Sequence, residues 1–165
     1  MSSPEAKMRK QQSILMCSGL AVILFGAWEI VRTMLMRYMD ATHFMDYLDV
    51  VGITSEELSF NVIMIIIVIV MILNLLMRSY IGVNAIKEGQ GLKTKGIAYI
   101  LLALIELVAS TIADVHDLNT YINVNFQPEY ILTTIIDISI HIATLEIIIS
   151  AIKLRTIRKT MSEPQ

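Results

Sequence analysis

Long apolar stretches separated by short polar ones dominate the pattern of this chain. Four are long enough to cross about 30 Å of hydrocarbon as helices at 1.5 Å per residue. They lie at about residues 14–36, 58–82, 97–115 and 130–152. The second contains VIMIIIVIVMIL, a β-branched run that would read as a buried strand if it were shorter. Its length decides for a helix, because strands seldom exceed about ten residues.

The polar stretches refine this pattern. Residues 1–12 are basic and polar, and they predict a disordered tail. The stretch before the second helix is acidic, with Asp40, Asp46, Asp49, Glu56 and Glu57. Within it, Phe44, Tyr47, Leu48 and Val51 recur at helical spacing, which predicts a short amphipathic helix on the membrane surface. Gly52 would end that helix, and Thr54 with Glu57 forms a capping-box pattern ahead of the second span. Gly89 is positioned to cap the second helix, with a flexible turn following. Pro128 suits the first turn of the fourth helix.

The distribution of basic residues orients the chain. The N-terminal tail, the linker at 83–96 and the C-terminal tail, together with Arg78 taken as an interface residue beside Tyr80, hold eleven of the thirteen Lys and Arg. The positive-inside rule then places both termini and that linker in the cytoplasm. The resulting fold is all-α: an integral membrane four-helix antiparallel bundle with a short extracytoplasmic amphipathic helix. Residues 1–165 make one domain in the inner or plasma membrane.

Composition agrees and excludes some functions. The 165 residues are 55% hydrophobic and 17% charged, and mean hydropathy is +0.65. A net charge of −2, with basic residues only in short groups at helix ends, argues against nucleic acid as a partner. One cysteine, Cys17, rules out an intrachain disulfide or a redox pair. The opening basic residues resemble those of a signal peptide, but the apolar run behind them is too long, so it is a retained helix. No phosphate-binding loop, dinucleotide fingerprint, His-Glu-x-x-His or Gly-x-Ser-x-Gly sequence occurs.

Candidate chemistry therefore rests on polar residues inside the spans, which are costly in hydrocarbon unless paired or hydrated. These are Glu29, Arg32, Asn74, Glu106, Asp137, His141 and Glu146. Helix rise places Glu29, Arg32 and Asp137 in the outer half, Glu106 and His141 near the middle, and Asn74 and Glu146 in the inner half. Asp137 and His141 share a helix face, as do Glu106, Ser110 and Asp114, whereas Glu146 points elsewhere. An ion pair among Glu29, Arg32 and Asp137 is expected. Ser18, Gly19 and Gly26 permit close packing of the first helix.

Two weaker patterns complete the reading. Asp40, His43, Asp46, Asp114, His116 and Asp117 could bind a divalent metal at the outer rim, although their spacing matches no established site. Glu29-Ile-Val-Arg-Thr resembles Glu106-Leu-Val-Ala-Ser, and Asn84-Ala-Ile-Lys resembles Ser150-Ala-Ile-Lys. A parallel pair of two-helix repeats and chance in an Ile/Leu-rich background both account for those similarities.

No cofactor is required by the sequence. The eleven methionines read as packing residues, and haem ligation by His141 lacks a second buried histidine. Three functions remain. The chain acts as a homo-oligomer or as a subunit beside a membrane-protein partner in the lipid, without catalysis. Alternatively, it is a proton- or cation-coupled carrier using Glu106, Asp137 and His141. Last stands an intramembrane enzyme acting on lipid or quinone.

Overall fold

The computed structural model of the protein describes residues 3–39, 60–92, 96–122 and 128–162. Among them the chain forms four helices: α1 (Pro4–Met39), α2 (Phe60–Gly89), α3 (Ala98–Ile122) and α4 (Pro128–Ser162). Each contains a segment long and apolar enough to cross a membrane. The β-branched centre of α2 is helical because a helix satisfies all its backbone groups locally, which hydrocarbon demands. The surface helix expected around Phe44–Val51, its Gly52 stop and the Thr54–Glu57 capping box lie outside the described residues.

All four helices extend beyond the apolar runs. The basic N-terminal segment is helical from Pro4, not a disordered tail. Ser3 caps it, accepting a hydrogen bond from the Ala6 amide at 3.2 Å, with Pro4 in the first turn and Glu5 beside the positive helix end. Met, Lys, Arg and Gln in the next turns are good helix formers. At the other terminus α4 continues through the basic residues to Ser162.

Helix α2 likewise runs on to Gly89, and the glycine that ends it is Gly91, at φ +83°. The amide of Leu92 donates to the Lys87 carbonyl at 3.0 Å and that of Gly91 to Glu88 at 3.1 Å. This pair of bonds is the Schellman pattern, which needs a left-handed residue where Gly91 stands. Gly89 has a different role, in packing.

The helices follow one another around the bundle, with α1 packed along both α2 and α4, and α3 lying against α4 and, less extensively, α2. Glycine brings α1 and α2 close. Gly19 and Gly26 are seven residues apart on α1, as are Gly82 and Gly89 on α2, so each pair occupies one face two turns apart. A Cβ on Gly82 would lie 2.5 Å from the Gly19 carbonyl oxygen, and one on Gly89 would lie 2.6 Å from the Met16 side chain. Backbone contact of this kind is a common means of helix association in lipid.

Polar and apolar layers alternate along the bundle. The end carrying Pro4, Gly91 and Ser162 is called the terminal end, and the opposite end the loop end. In the terminal half, Leu15, Val22, Ile81, Ala85, Tyr99, Ala103, Ile147, Ala151 and Leu154 form one apolar core. Polar side chains lie on both sides of it.

Candidate functional site

The polar interior is organised around Arg78. Because α2 continues to Gly89, Arg78 lies eleven residues inside the helix and is 5% exposed. It is therefore a buried residue rather than the interface marker read from the sequence. Its Nε donates to Glu106 Oε1 on α3 at 2.7 Å, and its Nη1 donates to Glu29 Oε2 on α1. One guanidinium thus joins three helices, using the forked donor geometry that distinguishes Arg from Lys. The two glutamates of the similar Glu-Ile-Val and Glu-Leu-Val segments meet at the same cation.

Glu29 was expected to pair with Arg32, and the structure places it on Arg78 instead. Arg32 does face Asp137 on α4, at 4.0 Å between Nη1 and Oδ2. Its Nε and Nη1 have no hydrogen-bond partner among the described residues. At that separation a bridging water is the usual intermediary.

His141 connects the Arg78 layer toward the loop end. Its Nδ1 lies 2.7 Å from the Asp137 carbonyl oxygen, which can only accept, so Nδ1 is the donor there. Its Nε2 lies 3.0 Å from Ser110 Oγ, and that hydroxyl is also 2.8 Å from the Glu106 carbonyl oxygen. Asp114 Oδ2 lies 3.5 Å from Nδ1. The expected stripe of Glu106, Ser110 and Asp114 on α3 therefore meets the Asp137–His141 stripe on α4. Ser110 stands between Glu106 and His141.

Two groups near this junction are buried without a partner among the described residues. Glu106 Oε2 accepts no hydrogen bond, and neither does Thr144 Oγ1 on α4. Both residues are less than 5% exposed. An unsatisfied buried oxygen costs about 1–3 kcal/mol.

Glu146 and Asn74 stand apart. Glu146 does point away from the His141 face, and there Ser18 Oγ of α1 donates to its Oε2 at 2.6 Å. Asn74 is half-buried one turn from Arg78 on its loop side, nearer the loop end than the sequence-based depth placed it. The reason is again the length of α2, which moves every α2 residue toward the loop end. Asn74 is not drawn into the described ion-pair networks.

Sequence reading missed a second polar centre, at the terminal end. Glu88 is 2% exposed, although it sits in a stretch that looks like a linker. Arg155 of α4 grips it with two bonds, Nε to Oε1 at 2.8 Å and Nη2 to Oε2 at 2.7 Å. Tyr99 of α3 donates to Glu88 Oε2 at 2.7 Å, and Arg158 donates to the Glu88 carbonyl at 3.0 Å. Arg155 also reaches the Gly96 carbonyl at 3.0 Å and lies over the Tyr99 ring. A single acidic residue among basic ones was the available signal.

The rim candidates Asp40, His43 and Asp46 lie outside the described residues. His116 and Asp117 fall in the last turns of α3, and Asp114 faces His141. Among the described residues no three His, Cys, Asp or Glu side chains are grouped to hold a metal. No family model matches this chain, and no curated protein or solved structure does either.

Proposed function

We propose that the chain is a non-enzymatic multi-pass membrane protein that acts by assembly, as a homo-oligomer or as a subunit of a membrane complex. In this reading the bundle is antiparallel across the bilayer with both termini in the cytoplasm. The contact register supports that arrangement: Gln12 and Met16 approach Gly89, Gly19 approaches Gly82, and Gly26 approaches Arg78. Ten basic residues remain at the terminal end once Arg78 is assigned to the interior, so the positive-inside argument keeps its sign.

The observation that carries the proposal is the direction of the polar groups. Arg78, Glu29 and Glu106 bind one another, Ser18 binds Glu146, and Ser110 meets His141. With those groups paired within the chain, much of the outward surface consists of apolar side chains such as Leu20, Leu24, Ile65, Ile69, Leu73, Leu76, Ile105 and Ile112, all exposed. Such a surface suits lipid and the apolar faces of other helices. Native mass spectrometry after gentle extraction tests the reading. A mass of two or more chains, or a reproducible partner protein, is expected, whereas a bare monomer across detergents overturns it.

A second reading, a proton- or cation-coupled carrier, is favoured by one specific observation, the buried Glu106 Oε2 that has no hydrogen-bond partner among the described residues. Reconstituted vesicles distinguish the two. Proton or cation flux lost in Glu106→Gln with oligomeric mass unchanged favours the carrier. Absence of flux with an intact oligomer favours assembly alone.

A further inference from the structure

From the loop end inward, exposure falls in steps along one line of groups. The Asp114 side chain is 41% exposed, His141 20% and Glu106 4%. Each group lies within one or two helical turns of the next, with Ser110 linking His141 to the Glu106 turn. Beyond Glu106 toward the terminal end the line stops. There the interior is the apolar layer of Val22, Ile81, Ala103 and Ile147, each essentially unexposed.

The line ends on two buried oxygens without a hydrogen-bond partner among the described residues, Glu106 Oε2 and Thr144 Oγ1. Antiparallel register brings them to one level: Ser110 meets His141, Glu106 is one turn below Ser110 on α3, and Thr144 is nearly one turn below His141 on α4. Glu106 has committed only Oε1, to Arg78, and Arg78 is itself shared with Glu29. One guanidinium therefore serves two carboxylates, and the second oxygen of Glu106 receives no donor among the described residues. A proton on that oxygen removes the carboxylate charge that one guanidinium shared by two carboxylates leaves uncompensated.

We propose that Glu106 Oε2 is a proton-binding site reached by water from the loop end only, through a tract lined by Asp114, His141 and Ser110. The apolar layer seals it from the terminal end. Exchange of the proton on Oε2 with bulk water forms and breaks only the O–H bond. The ionisable and charged groups around the site are Glu29 on α1, Arg78 on α2, Asp114 on α3 itself, and His141 and Asp137 on α4, with Arg32 of α1 facing Asp137. This goes beyond the assembly reading, which needs no water in the interior. It gives the carrier reading a named site and a direction of access.

The test uses the full chain in proteoliposomes, with Cys17 replaced by Ser and a C-terminal tag reporting orientation. Single substitutions Asp114→Cys, Ser110→Cys and Ala103→Cys are exposed to a membrane-impermeant thiol reagent, applied on the tag side or the opposite side. Thiol reaction requires ionisation in water, so it reports wetness. Labelling of Asp114→Cys and Ser110→Cys from the side opposite the tag is expected, faster than from the tag side by about an order of magnitude, with Ala103→Cys silent from both. Infrared spectroscopy of the Glu106 protein and of Glu106→Gln supplies a second readout that needs no cysteine. A carboxylic-acid carbonyl band that shifts in heavy water and is missing in Glu106→Gln is expected. Ser110→Cys inert from both sides, or labelled equally from both, overturns the one-sided tract. The absence of that band across the pH range in which the protein stays folded overturns the proton site. Neither result bears on oligomeric mass, so failure here is separable from failure of the assembly reading.

Discussion

At the scale of single residues, the interior is held by cations that each serve several oxygens. Arg78 lies between Glu29 and Glu106, and removing it leaves two carboxylates facing each other in a buried layer. Breaking a buried pair from one side costs about 3–5 kcal/mol, whereas replacing all partners with neutral groups is often tolerated. Arg78→Met is thus expected to lower stability by about that amount, and Arg78→Met with Glu29→Gln and Glu106→Gln to recover much of it. Denaturation of the purified protein followed by helical circular dichroism measures both. Equal loss in the single and triple variants would show that packing, not charge, sets the cost. Arg155 makes a related case, because its fork holds the buried Glu88 carboxylate. Arg155→Lys keeps the charge and loses the fork, and Arg155→Gln loses both. Amide exchange at Gly91 and Leu92 should accelerate in that order, since Glu88 supports the turn that follows it.

At the scale of elements, glycine sets how closely α1 and α2 approach. A side chain at Gly82 meets the Gly19 carbonyl oxygen, which is backbone and has no rotamer to adjust. Gly82→Leu is expected to part the helices and cost about 1–3 kcal/mol, the usual range for overpacking. Val83→Leu, at the exposed neighbouring position, should stay within about 0.5 kcal/mol. The same denaturation measurement compares them, and similar values for both would remove the close-contact argument. Gly19 and Gly26 were legible in the sequence as small residues. That Gly82 and Gly89 oppose them was not, because a two-turn spacing on one helix does not reveal which helix it faces. The ends of the helices were harder still. Apolar runs mark where hydrocarbon must be crossed, but backbone hydrogen bonding continues through any good helix former beyond them. The Ser3 cap and the Gly91 turn, rather than hydropathy, set those limits.

At the scale of the whole molecule, layering decides which functions the bundle can perform. A polar network near the middle, an apolar layer below it and the Glu88 cluster at the terminal end leave no continuous polar path through the described interior. Transport through this chain would therefore require the apolar layer to open. If both termini lie in the cytoplasm, reporter domains fused to either end should be active there and silent across the membrane. Opposite reporter outcomes at the two ends would contradict an even number of crossings.

The sequence by itself determined the all-α class and the four long apolar helices of the described residues, because about 30 Å of hydrocarbon imposes a length and a composition that no tertiary contact is needed to read. It also singled out Glu29, Arg32, Glu106, Asp137 and His141, since a charge within such a run must be accommodated somewhere. Tertiary structure alone decided the partners. Glu29 and Arg32 are three residues apart and look like a pair, yet Glu29 binds a cation 49 positions away while Arg32 turns to Asp137. Arg78 and Glu88 looked like residues of an interface and a linker until helix extension carried both into the bundle. Depth and pairing depend on where neighbouring helices begin and how closely they approach. Those quantities arise only when the four helices pack, from glycine contacts and caps that leave almost no trace in hydropathy.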